Sequence, residues 1–259
     1  MTDQLSLRLE PDLAVLPGLP DLRPMLPRPL PDPFDSEDHL FEPWWGGVRA
    51  LVFVGPADQP GSGDVRIVDE AGRDLTAALP ELAGLAVRLE ARSAVLDGEL
   101  VVVDATGRAD AAELERRIAG GPGRRAAFLA FDLVHLDGRS LLGQPLVRRR
   151  ALLRRVLRPG DEVVAVPAIA TEGRALFEAV VAQGIAGVLA RQRTSPYLPG
   201  MRSRLWRFVA ATGSEEAAGS GGAPGTVGEP AGPISNEPET PAAAPVLALI
   251  SRLPLDDDG

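Results

Sequence analysis

Residues 184–209 read GIAGVLARQRTSPYLPGMRSRLWRFV. Two runs in or overlapping this stretch, AGVLARQ and SRLWRFVA, have the length and the aliphatic and aromatic content of strands. They predict the last two strands of a folded unit that closes near residue 211. Working back from them, TEGRALFEAVVAQG predicts a helix capped by Thr171 and stopped at Gly184. EVVAVPAI predicts a strand. PLVRRRALLRRVLRPG (145–160) predicts an amphipathic helix, with proline near its start and Pro-Gly at its end. AAFLAFDLVHLDG predicts another strand, and residues 110–118 a short helix. VRALVFVG, DVRIVDEAG and AVLDGELVVVDATG predict three more strands, and LPELAGLAVRLEAR (79–92) has apolar residues at helical spacing. Strands and helices alternate without a regular βαβ order, so the fold class is α+β, with mainly antiparallel sheets flanked by helices.

The folded unit spans 36–211. Proline recurs through residues 1–35 too often for a helix or a central strand, and this part reads as an extended lead-in. Residues 212–259 are rich in Gly, Pro, Ala, Ser and Glu and predict a disordered acidic tail. The tail holds eight acids and one base, so it carries −7 of the net charge of −9 and leaves −2 for the rest. Its apolar island PVLALISRLPL (245–255) reads either as a chance patch or as a peptide that docks on a partner.

Composition removes several kinds of chemistry. There is no cysteine, hence no disulfide, thiolate metal site or cysteine nucleophile. Two histidines, His39 and His135, are too few for a histidine-rich metal centre, and both read as structural residues. All 27 Lys+Arg residues are arginine, so no mechanism needing a lysine amine can operate. No apolar run reaches the ~18 residues of a membrane span, and the first residues lack the basic and apolar regions of a secretory signal. A cytoplasmic protein is expected, nucleoid-associated if it binds DNA, with no membrane partner.

Four stretches occur in order: VLDGELVVVD (95–104), AFDLVHLDGRSL (130–141), PLVRRRALL (145–153) and the 184–209 run. With RPML near the start and FEPWWGGVRA (41–50), they resemble the adenylation domain of bacterial ATP-dependent DNA ligases over roughly residues 23–211. The resemblance implies a ligase-type nucleotidyltransferase fold, ATP-grasp-like. It also implies a lysine that attacks the α-phosphate of ATP to form a lysyl-adenylate. The AMP then passes to a 5′-phosphate at a nick, with cations holding the phosphate charge. Laid on FEPWWGGVRA, the family stretch F-E-x-K-W-D-G-x-R-A puts the nucleophile on Trp44 and the motif aspartate on Gly46, while Trp45, Gly47 and Arg49 match. An indole nitrogen has no lone pair to offer and cannot replace the amine.

Other positions depart too. Glu70 stands where the family has an arginine facing phosphate or ribose, Ala186 where it has a metal-binding glutamate, and Arg191 where that motif ends in lysine. Phe208 and Ala210 stand at the two lysines of W-x-K-x-K. Glu42, Arg49, Glu99 and Phe131 remain as nucleotide-binding remnants, Phe131 resembling the aromatic that stacks on adenine; Asp97 and Gly98 remain as well. The resemblance also implies an oligonucleotide-binding barrel after this domain, where residues 212–259 instead predict the acidic tail.

These departures predict a catalytically inactive pseudo-ligase with no catalytic residue, no required cofactor and no metal site; ATP and Mg2+ bind only if family binding is retained. Its expected partners are nicked or broken duplex DNA and a repair protein engaged by the tail, in repair or recombination. Arg191, Arg193, Arg202, Arg204 and Arg207 are the DNA-phosphate candidates, and Arg207, beside a lost lysine, could stand in as a phosphate clamp. Arg148, Arg149, Arg150, Arg154, Arg155 and Arg158 read as a solvated helix face. Trp44 is expected to fill the former triphosphate channel against Phe131 or its neighbours, or alternatively to offer a stacking surface. Gly46 is expected to ease the turn. Two other readings stand beside the main one: an active ligase using a non-lysine group or a partner's lysine, and a non-reactive ATP sensor.

Overall fold

The computed structural model describes residues 22–105 and 107–211, so the expectations for 212–259, including 245–255, and for the first 21 residues fall outside the described part. The fold is α+β. One sheet holds β1 (Leu26–Pro29), β2 (Ser36–Trp44), β9 (Ile169–Thr171), β10 (Gly187–Gln192) and β11 (Arg202–Ala210), in the order β1-β11-β10-β2-β9. The other holds β3 (Val48–Val54), β4 (Val65–Asp69), β5 (Ala94–Val102), β6 (Ala126–Leu136) and β7 (Arg139–Ser140), in the order β4-β3-β5-β6-β7. A short β8 (Val163–Ala165) pairs with β6. Pairing is antiparallel except for β1 with β11 and β6 with β8. No helix among the described residues is long and apolar enough to cross a membrane.

Strand parity decides what lies between the sheets. All nine residues of β5 are buried, as expected for a strand covered on both faces. Leu96, Leu100 and Val102 point into an apolar core with Ala50, Val52, Leu82, Leu85, Leu114, Leu153 and Val156. That core is sealed by a 3₁₀ helix (Pro80–Arg88), α1 (Ala111–Ile118) and α2 (Leu146–Val156). The alternate residues, among them Asp97 and Glu99, point the other way, towards the five-stranded sheet. The outer face of that sheet is packed by α3 (Gly173–Ala182), whose Leu176 and Val180 cluster with Phe41, Val188 and Ala190.

Four local features differ from the residue-level expectations. Ser36–Trp44 is a strand, although SEDHLFEPW has neither strand alternation nor a clean apolar run. Pro43 is tolerated there because β9 ends at the Phe41–Ile169 pair, which leaves Pro43 bonded on the β10 side alone. Part of the proline-rich lead-in is likewise an edge strand, β1. The helical spacing of 79–92 forms a 3₁₀ helix: Leu79, Leu82 and Leu85 are buried, a three-residue repeat that eclipses side chains on one row. The cap of α3 moves by one residue to Glu172, without a side-chain cap bond, while Thr171 sits at φ +71 at the end of β9. Gly184 does follow α3, at φ +68.

Candidate functional site

Between the sheets lies a layer of buried charge around Phe131. From β3, Arg49 makes two hydrogen bonds to Asp97 on β5, both 2.7 Å, and its guanidinium lies 4.4 Å from the Phe131 ring centroid. Tyr197 donates its hydroxyl to the same Asp97 at 2.7 Å, and burial together with that carboxylate raises the phenol pKa well above its ordinary value, so it stays a donor. From β2, Glu42 sits between two buried arginines. Arg150 of α2 bonds to its Oε1, and Arg191 Nη2 of β10 lies 2.7 Å from its Oε2. Arg150 also donates to the carbonyls of Phe131 and Val166.

Arg191 is the unusual member. Its side chain is fully buried, yet among the described residues none of its three nitrogens makes a hydrogen bond, and Nη2 meets Glu42 Oε2 as an ion pair only. The guanidinium rests instead 3.7 Å from the Phe131 centroid and 4.8 Å from the Trp206 ring, so stacking and cation–π attraction substitute for the missing bonds. Burial pushes its pKa down to about 10, with Glu42 pulling the other way, and it remains a cation at neutral pH.

Parity along β10, β2 and β11 settles several expected roles. Trp206, Phe208 and Ala210 pair with Arg191, Leu189 and Gly187, and the last two pair with Glu42 and Trp44. All face the buried layer. Half-buried Trp44 therefore meets Phe208 edge to face, ring centroids 6.1 Å apart, whereas the Phe131 ring is covered by Arg191. Arg207 pairs with Ala190 on the opposite face, so it cannot replace a cation lost at 208 or 210. Gly46 turns the chain at φ +80. At Gly47 a Cβ would fall 2.0 Å from the Leu100 carbonyl, and this close pass lets the Gly47 and Trp45 amides both donate to Glu99.

Three expectations are corrected by burial. Arg191 is an interior residue and not a DNA-facing one. Arg149 and Arg150 are buried, and only Arg148, Arg154 and Arg155 form the solvated side of α2, with Arg158 exposed just after the helix. The helical stripe Leu146, Leu153 and Val156 contains positions 149 and 150, and that spacing was the available signal. Of the remaining arginine candidates, Arg204 and Arg207 line one groove, Arg202 donates to the Pro27 carbonyl, and Arg193 lies at the loop beside the start of α2. Glu70 is exposed on the turn after β4, and Ala186 lies against Gly46.

The carboxylates here do not fit a divalent metal. Asp97 is held by Arg49 and Tyr197, Glu42 by two arginines, and Glu99 by two backbone amides. Among the described residues no group of three or more acidic, histidine or cysteine side chains is arranged as a metal site.

Burial pushes the Glu99 carboxyl up to about 7, despite the two amides and the nearby Arg49 and Arg191 that favour its charged form. A carboxyl with a raised folded-state pKa binds a proton in the folded state that the unfolded chain releases near 4.5. Stability from this group is thus complete below about 4.5 and is lost as pH rises through about 7, with a slope of at most about 1.4 kcal/mol per pH unit. Urea midpoints should fall between about pH 5 and about pH 8, and Glu99→Gln should flatten that dependence. An unchanged slope in the variant would assign the effect elsewhere.

The sequence profile described as "ATP dependent DNA ligase domain" matches residues 24–207. The multifunctional non-homologous end joining DNA repair protein LigD of Mycobacterium tuberculosis is 39% identical over 166 residues, which is 64% of this chain and 21% of LigD. DNA ligase C1 of Mycolicibacterium smegmatis is 36% identical over 212 residues, 73% of this chain and 57% of that protein. Among solved structures, mycobacterial DNA ligase D complexed with ATP and MES superposes with a TM-score of 0.63 at 33% identity, over 74% of this chain and 60% of that one. The chain thus spans about a fifth of the length of the LigD relatives it matches.

Proposed function

This chain belongs to the family of ATP-dependent DNA ligase domains, and we propose that within it the chain has lost self-adenylation and acts by binding nicked or broken duplex DNA in bacterial repair. One observation carries the reading: the position of the nucleophile and a position of the phosphate-holding lysines are filled by an aromatic pair, Trp44 against Phe208. Two further features support it. Arg191 lies on the Phe131 ring where the family resemblance would put adenine, and the chain has no lysine. DNA contact then falls to exposed cations outside the buried layer, Arg202 and Arg204 with half-buried Arg207, and the acidic tail is left to engage a repair protein.

The test has two arms. Incubated with α-labelled ATP and Mg2+, the protein should take up no label. Trp44→Lys alone should not restore it, because Arg191 would still cover Phe131 and no lysine would stand at 208 or 210. A fluorescent nicked duplex should bind with an affinity that falls steeply with salt, log K declining by about 0.9 per phosphate neutralised. A labelled wild-type band would overturn the loss of adenylation. Binding that is absent, or insensitive to salt, would overturn the DNA reading.

A further inference from the structure

The outer face of the five-stranded sheet carries a groove of about 350 Å³ lined by Leu30, Phe34, His39, Gln192, Arg204 and Arg207. Its size lies at the lower end of small-ligand sites, room for one nucleotide-sized unit and not for a folded partner. It is separate from the buried charge layer. Gln192 and Arg207 each follow a residue of that layer, Arg191 and Trp206, and point to the other side of the sheet.

The lining has a consistent chemistry. No carboxylate contributes to it, and neither Arg204 nor Arg207 has an ion-pair or hydrogen-bond partner among the described residues. Gln192 stands directly across from His39 in the β2–β10 register. Partial burial lowers the pKa of the His39 ring below its ordinary value, with Asp38 opposing and Arg207 reinforcing that effect. Its Nδ1 meets Ser36 Oγ at 2.9 Å, which leaves Nε2 as the ring's other polar atom. Phe34 packs edge to face with His39 and Phe41, so its ring is fixed in place.

We propose that this groove is a subsite for single-stranded nucleic acid, in which an unpaired nucleotide packs on Phe34, its base edge meets Gln192 and His39, and Arg204 and Arg207 hold the flanking phosphates. An aromatic ring beside unpaired cations is the arrangement by which proteins hold unpaired bases with little sequence preference. An acidic peptide would use the two arginines but would have no need of the ring or of the amide. The inference rests on the DNA-binding reading above and deepens it: the strand held is an unpaired flap or overhang of a broken end.

The test uses the full chain and a fluorescein-labelled oligothymidylate, titrated over a salt series. Wild-type affinity should fall with salt, and the double variant Arg204→Gln/Arg207→Gln should bind about tenfold or more weakly, with the slope reduced by about 1.4 for two single-strand phosphate contacts. Arg204→Lys/Arg207→Lys should keep most of that slope, which separates lost charge from lost fold. Phe34→Leu should weaken binding by about five- to a hundred-fold at unchanged salt slope. Oligothymidylate binding that is absent while the nicked duplex still binds would overturn the subsite and leave the DNA-binding reading standing; absence of both would overturn both. A polyglutamate peptide that competes equally well, with Phe34→Leu without effect, would overturn the nucleotide reading in favour of an acidic peptide.

Discussion

Replacing Glu42 with alanine should destabilise the domain by about 3–5 kcal/mol, because it strips the shared carboxylate from two buried guanidiniums at once. Arg150 would keep the carbonyls of Phe131 and Val166. Among the described residues Arg191 has no other polar partner, and it would be left with ring contacts alone. Glu42 is 1% exposed, so water cannot take over its role without opening the sheets. Against a typical stability of about 5–15 kcal/mol the loss is large, worth roughly 10 °C in Tm for a domain of this size. The measurement is a urea unfolding curve. A lower midpoint at unchanged m-value is the expected result, with Glu42→Gln intermediate because it keeps a hydrogen-bond acceptor without the charge. A loss below about 1 kcal/mol would mean that the Arg150–Glu42–Arg191 group behaves like a surface ion pair, and the account of a closed interior in which Glu42 balances two buried cations would fail.

That interior explains why the fold was easier to read than the site. The strands β3, β5, β6, β10 and β11 carry their own signal in aliphatic and aromatic runs bounded by turns, and tertiary packing only completes what those runs favour. The strand β2 carries no such signal. It is held by β10 on one side and β9 on the other, and its one inward carboxylate, Glu42, is buried because arginines from distant parts of the chain meet it there. A contact such as Glu42 with Arg150, 108 residues apart, has no local trace. Two things were nonetheless readable. Period-two alternation places Arg207 on the face opposite Trp206 and Phe208, and the stripe of α2 places Arg149 and Arg150 among its buried residues. Charge alone argued for the surface, and geometry overruled it.

Arg149 and Asp132 supply the second large effect. Asp132 lies opposite Asp97 in the β5–β6 register, so two fully buried carboxylates stand on neighbouring strands, and each requires a cation of its own. Arg49 serves Asp97. Arg149 serves Asp132 through two hydrogen bonds of 2.8 and 2.7 Å, and also donates to the carbonyls of Gln144 and Ser195. One side chain thereby ties the start of α2 and the β10–β11 loop to the centre of β6. Asp132→Leu or Arg149→Met alone should each cost about 3–5 kcal/mol, since each leaves an uncompensated buried charge. The double variant removes both charges and leaves apolar groups of similar bulk. It should recover much of the loss, though not all, because the two carbonyls remain without their donor at about 1–3 kcal/mol. A double-mutant cycle should therefore fall short of the sum of the singles by at least about 2 kcal/mol. Additive singles would show that Arg149 acts through its carbonyl bonds and packing, with Asp132 neutralised from elsewhere. Strong coupling would identify the pair as the clamp that holds the helical layer to the sheet on which Phe131 and its arginines are mounted.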